Sequence, residues 1–263
     1  MIPRSFIEEW RQHAPWPENF QVEQDLVIER AIVEIFTDKF LNENLAFRGG
    51  TALHKLFLKP QSRYSEDIDL VQIKEGPIKP ILVKLGEVLH FLGTVRTIKQ
   101  KANNNTIVYR FDSEVAPIIN LRLKVEINCR EHFNVLGLQQ VPFKVESSWF
   151  KGECTINTYH LEELLGTKMR ALYQRTKGRD LFDLNHAMQN ADVDAKKLVK
   201  CYKEYMAFSV EKPPSQKQYI ANMDEKMLDD EFTNDIFTLL RPGIEYDNNI
   251  AYEMVSNQLL EKI

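Results

Sequence analysis

Two neighbouring stretches, Leu45-Ala46-Phe47-Arg48-Gly49-Gly50-Thr51-Ala52-Leu53 and Tyr64-Ser65-Glu66-Asp67-Ile68-Asp69-Leu70-Val71, set the architecture of the first half of the chain. Leu45 to Phe47 is a short apolar strand that runs into a glycine turn, and Thr51 stands near the start of the helix that follows. Gly49, Gly50 and Thr51 at a helix start let backbone N–H groups come close to an anion. The second stretch alternates polar and apolar residues with period two and predicts a strand. Asp67 and Asp69 leave one face of it about 7 Å apart, while Ile68 and Leu70 point to a core. Magnesium takes oxygen ligands and keeps substrate phosphates in its shell, so two strand carboxylates beside a phosphate cradle suit it.

Further along, Leu121-Arg122-Leu123-Lys124-Val125-Glu126-Ile127-Asn128 reads as another strand, with Arg122, Lys124, Glu126 and Asn128 on its polar face. If this strand lies beside the first acidic one, Glu126 completes an acidic trio that assists metal binding or deprotonates an attacking hydroxyl. The alternative for Glu126 is a cross-strand ion pair with a lysine or arginine. A basic run follows, with Lys168, Arg170, Arg175, Lys177 and Arg179 within twelve positions. Lys168 and Arg175, seven apart, are expected on one helix face, as a lysine and arginine fork able to neutralise phosphates. Arg179-Asp180, with Asp183 after it, opens a second amphipathic helix.

Around these motifs the periodicity predicts helices over 21–40 and 77–91 and strands over 94–101, 106–112 and 119–128. A mixed strand and loop region covers 143–159, and the chain is helical almost throughout from Leu161. The fold class expected is α/β (α+β), a mixed twisted sheet flanked by helices and followed by a helical C-terminal domain. The expected domains are 1–158, and 159–263 completing an active-site cleft. The 263 residues carry 34 basic and 38 acidic side chains, a net charge of −4, which excludes a histone-like binder and requires any nucleic-acid contact to come from a local patch. Three scattered cysteines, with no CxxC pair, fit a reducing, cytoplasmic setting. No apolar run reaches the length of a signal peptide or a membrane helix, so no membrane association is expected.

The ordered set Arg48-Gly49-Gly50-Thr51-Ala52-Leu53, Arg63-Tyr64-Ser65-Glu66-Asp67-Ile68-Asp69, Lys124-Val125-Glu126-Ile127, then Lys168 with Arg175 and Arg179-Asp180-Leu181-Phe182-Asp183-Leu184, resembles the AbiEii/AbiGii nucleotidyltransferase toxins of the DNA polymerase β-like superfamily. The resemblance spans roughly residues 45–185. It implies transfer of a nucleoside monophosphate from an NTP to an acceptor hydroxyl, with pyrophosphate leaving. It also implies Mg2+ (or Mn2+), a tRNA or other RNA acceptor as in family members related to the MenT toxins, and a cognate antitoxin in phage defence. Carried onto this chain, Arg48, Gly49, Gly50, Thr51, Ser65, Lys168 and Arg175 would bind nucleotide, and Asp67 and Asp69 the metal. Asp180 or Asp183 would be a late catalytic acid, beside Glu126 and Lys168. The basic residues Arg170, Lys177 and Arg179 would meet acceptor RNA, because an arginine-rich helix favours a polyanion. Two other readings keep the same fold, namely a small-molecule nucleotidyltransferase of the antibiotic-modifying kind and a toxin that binds nucleotide without catalysis.

Overall fold

The computed structural model describes residues 2–263, and among them the chain forms two compact units. The first comprises residues 2–56, Tyr64–Asn134 and Leu138–Tyr159. Its helices are α1 (Arg4–Trp10), α2 (Asn19–Thr37), α3 (Lys39–Asn44), α4 (Gly49–Ala52) and α5 (Lys79–Val88). Its strands are β1 (Leu45–Arg48), β2 (Asp67–Gln72), β3 (Arg96–Gln100), β4 (Asn104–Asp112), β5 (Asn120–Asn128), β6 (Leu138–Glu146) and β7 (Lys151–Tyr159). They form one mixed sheet in the order β3-β4-β5-β2-β1-β7-β6. The pair β1–β2 is antiparallel, whereas β2–β5 and β1–β7 are parallel.

Period-two burial carries this sheet. Ile68, Leu70, Leu123, Val125 and Ile127 are all buried, and the polar residues between them emerge on the other face. The helix expected over 21–40 is two helices. Asp38 leaves helical conformation, and its carboxylate accepts the Leu41 N–H at 2.9 Å, so the residue that ends α2 also caps α3. The stretch 143–159, expected as mixed strand and loop, is instead most of a regular hairpin paired from Leu138↔Tyr159 to Glu146↔Lys151. Pro142 and Gly152 mask its strand pattern. Pro142 is tolerated because β6 lies at the sheet edge.

The second unit comprises Phe57–Arg63, Val135–Gly137 and His160–Ile263. It contains α6 (Leu161–Gln174), α7 (Arg179–Asn190), α8 (Ala195–Ser209), α9 (Gln216–Met227), α10 (Asp230–Asn234) and α11 (Asn248–Gln258). Buried Glu163 ties its pieces together by accepting the Val135 and Leu136 N–H groups at 2.8 and 2.9 Å and the Tyr205 hydroxyl at 2.8 Å. Cys129, Cys154 and Cys201 are free thiols. Among the described residues no helix is long and apolar enough to cross a membrane.

Candidate active site

In the first unit the register of three strands gathers the acidic residues. Asp69 on β2 stands opposite Arg48 on β1 and Glu126 on β5, and Asp67 stands opposite Lys124. Asp67, Asp69, Lys124 and Glu126 therefore share one face. The Lys124 ammonium lies 2.7 Å from Asp67 and 3.6 Å from Glu126. Burial works against the lysine charge, but Asp67 and then Glu126 outweigh it and raise the pKa. Both readings of Glu126 thus meet at one place, since it adjoins the two aspartates and also a lysine.

The glycine turn sits against the same carboxylates. Gly49 has φ +81°, a conformation that favours glycine, and a Cβ there would come within 2.7 Å of the Asp69 Cγ. Thr51 is buried, and its hydroxyl donates to the Asp67 main-chain carbonyl while pairing with the Ser65 hydroxyl at 2.8 Å. The two hydroxyls therefore latch the glycine turn to the start of β2, so a role for Thr51 in phosphate binding falls to its main chain. Arg48 pairs with Glu131. Burial opposes its charge, yet Glu131, with help from Asp69, raises its pKa. The helix then widens into a π turn over Leu53–Phe57, a form found often at functional sites. Buried Lys55 anchors that turn on Asp25 at 2.9 Å and Glu29 at 2.7 Å.

Oxygen donors on one strand face suit a hard divalent cation. Among the described residues no group of three or more His, Cys, Asp or Glu forms a ready metal cage. Magnesium bound by one or two carboxylates and substrate phosphates needs none. The Lys124 ammonium on Asp67 already shows this face drawing a cation. The residues fit the group.

In the second unit, Lys168 reaches Asp180 at 3.0 Å and Asp183 at 2.8 Å. Arg175 grips Asp180 through two nitrogens at 2.6 and 2.8 Å, and Arg63 grips Asp183 likewise at 2.6 and 2.7 Å. The charges alternate as Arg175, Asp180, Lys168, Asp183, Arg63, with both aspartates fully buried. Burial pushes the Asp180 carboxyl up, but Lys168 and then Arg175 more than offset it and hold the pKa below its ordinary value. Arg175 does not lie on the α6 face expected for it. It is the extended residue that ends α6, and it meets Lys168 through Asp180 instead. Its side chain, 52% exposed, is the solvent-facing end of the network.

The other basic residues of the run are engaged within this unit. Lys177 pairs with Glu231 at 2.8 Å, Arg179 grips Asp235 at 2.8 and 2.7 Å, and Arg170 donates to the Ser209 hydroxyl at 2.7 Å. The run therefore presents less positive charge than its sequence count. Sequence reasoning assigned no role to Arg63, Glu131, Lys55 or Lys226, whose partners lie far away in the chain. Residues Phe57–Arg63 belong to the second unit, where Arg63 bridges to Leu240 and binds Asp183.

The family model described as nucleotidyl transferase AbiEii toxin, type IV TA system, matches residues 30–255. Among solved structures, the chain is similar to the nucleotidyltransferase toxin MenT4 of Mycobacterium tuberculosis, at 15% identity and a TM-score of 0.69, over 100% of this chain and 91% of that one. An antigenic nucleotidyltransferase-like protein of Paracoccidioides brasiliensis matches at 16% identity and a TM-score of 0.40, over 70% of this chain and 88% of that one. No curated protein sequence matches.

Proposed function

The chain belongs to the AbiEii nucleotidyltransferase toxin family and is a nucleotidyltransferase, and we propose that it moves a nucleoside monophosphate from an NTP to a hydroxyl of RNA, with tRNA as acceptor. Its cofactor in this reading is Mg2+ or Mn2+. It acts as the toxin of a toxin-antitoxin or abortive-infection pair in phage defence, held in check by a cognate antitoxin. The observation that supports the chemistry most is the common face of Asp67, Asp69 and Glu126, with the Asp69 carboxylate against the Gly49 turn.

In the reaction the acceptor oxygen attacks the α-phosphorus, the bond from that phosphorus to its bridging oxygen breaks, and pyrophosphate leaves. A divalent cation, when bound, polarises the phosphate oxygens and offsets the charge of the triphosphate. Asp67 and Asp69 hold it, and Glu126 takes the proton of the attacking hydroxyl. Gly49, Gly50 and Thr51 offer their main chain to the phosphates, while Arg48 and Ser65 fix the path of that turn. Within the second unit, the half-exposed Arg175 guanidinium is the group suited to a phosphate, and Lys168, Asp180 and Asp183 are positioning residues that orient it.

Incubation with each α-labelled NTP, magnesium and total RNA tests this reading. Label is expected on tRNA and absent for Asp67→Ala. Label confined to a small molecule would replace the acceptor, and nucleotide binding with no transfer to anything would leave a non-catalytic toxin.

A further inference from the structure

A cluster of positive charge without ion-pair partners lies on α8 of the second unit, beyond the basic run before it. Lys196, Lys200 and Lys203 follow one another at i, i+4 and i+7, so they rise over about 10 Å along one helix face. All three are exposed, while Leu198, Val199, Cys201, Tyr202, Tyr205 and Met206 bury the rest of the helix. With Val199, Glu204 and Lys262 they line a surface depression. Among the described residues none of these four lysines has an ion-pair partner, in contrast to Lys168, Arg175, Lys177 and Arg179. Asp194, the nearest acid at the helix start, is committed to the Lys196 and Lys197 N–H groups at 2.9 and 3.2 Å.

Among the described residues none of these lysines forms an ion pair that would tie the ridge to the fold, and Glu204 is the one acid that lines the depression with them. Like charges at i, i+3 and i+4 repel, and Lys196 sits at the positive end of the helix dipole, where cations are disfavoured. A polyanion relieves both costs at once. The lysines cover about three phosphate steps of a duplex strand, and the depression has no aromatic side chain for a base to stack on. We infer that the Lys196, Lys200, Lys203 and Lys262 surface docks the phosphate backbone of the acceptor RNA, gripping it by charge without reading its sequence. This inference rests on RNA being the acceptor.

The test compares the parent with Lys196→Gln/Lys200→Gln/Lys203→Gln, using an unmodified tRNA transcript over a series of KCl concentrations. The variant is expected to bind tRNA about tenfold or more weakly at 100 mM salt, with a log–log salt slope shallower by about two. KM for tRNA rises while kcat and NTP affinity hold, and the melting temperature stays level or increases. A structural role for the lysines would lower it instead. A variant that keeps the parent's tRNA affinity and slope overturns the docking surface and leaves RNA as acceptor. A parent that neither binds nor labels RNA overturns the acceptor reading and this surface with it. Loss of poly-glutamate binding with tRNA binding intact overturns the inference in favour of an acidic protein partner.

Discussion

Gly49, the first residue after β1, lies so close to Asp69 on β2 that a Cβ on Gly49 would collide with the Asp69 carboxylate. The turn and the acidic strand are therefore one unit of structure. Gly49→Ala is expected to cost about 1–3 kcal/mol from backbone strain and to lower transfer ~10²-fold by displacing Asp69. Gly93→Ala separates the two effects, because Gly93 also has a positive φ, +86°, but open space around it. Thermal melts should show both variants destabilised, and label transfer should fail only in the first. Equal activity in the two would detach the glycine turn from the carboxylate.

Asp67→Ala and Asp69→Ala should each abolish transfer in the presence of magnesium while the sheet persists, since Ile68 and Leu70 hold the buried side of β2. The Asp67–Lys124 pair is about one third exposed, so its loss should change stability by less than about 1 kcal/mol. Urea unfolding run beside the transfer assay checks this. A variant that unfolds early would mark the aspartate as structural, and full activity would remove the metal seat.

Lys226 offers a pH readout from the second unit. Its ammonium caps the end of α6 by donating to the Leu172 carbonyl and, at 2.8 Å, to the Tyr173 carbonyl. Burial pulls its pKa down to about 8, against a weaker opposing effect of Asp180. The folded protein thus releases near pH 8 a proton that the unfolded chain keeps until its ordinary value of 10.5. Between these the unfolded state holds more protons, so stability rises with pH. The parent's urea midpoint is expected to climb from pH 8 to 10 relative to Lys226→Met. Parallel profiles would show that burial does not disfavour the lysine charge.

Local spacing made the faces legible, and tertiary pairing decided what met on them. Alternation along Asp67–Leu70 and Leu121–Asn128 was enough to put Asp67, Asp69 and Glu126 on polar faces, because a strand has one period. It carried no information that β5 lies beside β2, or that Lys124 would sit on Asp67. Helical spacing misplaced Arg175, since α6 ends one residue before it and its direction is set by Asp180. Lys177 and Arg179 looked like free positive charge because Glu231 and Asp235 lie more than fifty residues on. At Asp38 the capping tendency of one side chain overrode an apolar period that continues to Phe40.

Asp183 and Asp180 separate a catalytic acid from a buried ion network. Asp183 is fully buried against Arg63 and Lys168, so Asp183→Ala takes the carboxylate from the buried Arg63 guanidinium while Lys168 keeps Asp180, and is expected to cost about 3–5 kcal/mol. Asp180→Ala should cost less, since Arg175 is half exposed and turns to water while Lys168 keeps Asp183. The folded pKa of Asp180 lies below its ordinary 3.8, so its contribution to stability is present above that value. It is lost as pH falls below 3.8 toward the folded pKa. The parent should therefore lose stability steeply below about pH 4, and Asp180→Asn should flatten that limb. If both aspartates act through Lys168 and Arg175, each asparagine variant raises KM for NTP more than it lowers kcat, in step with its loss of stability. Asp183→Asn with parental melting and parental KM but no turnover would make this carboxylate a direct participant in the transfer.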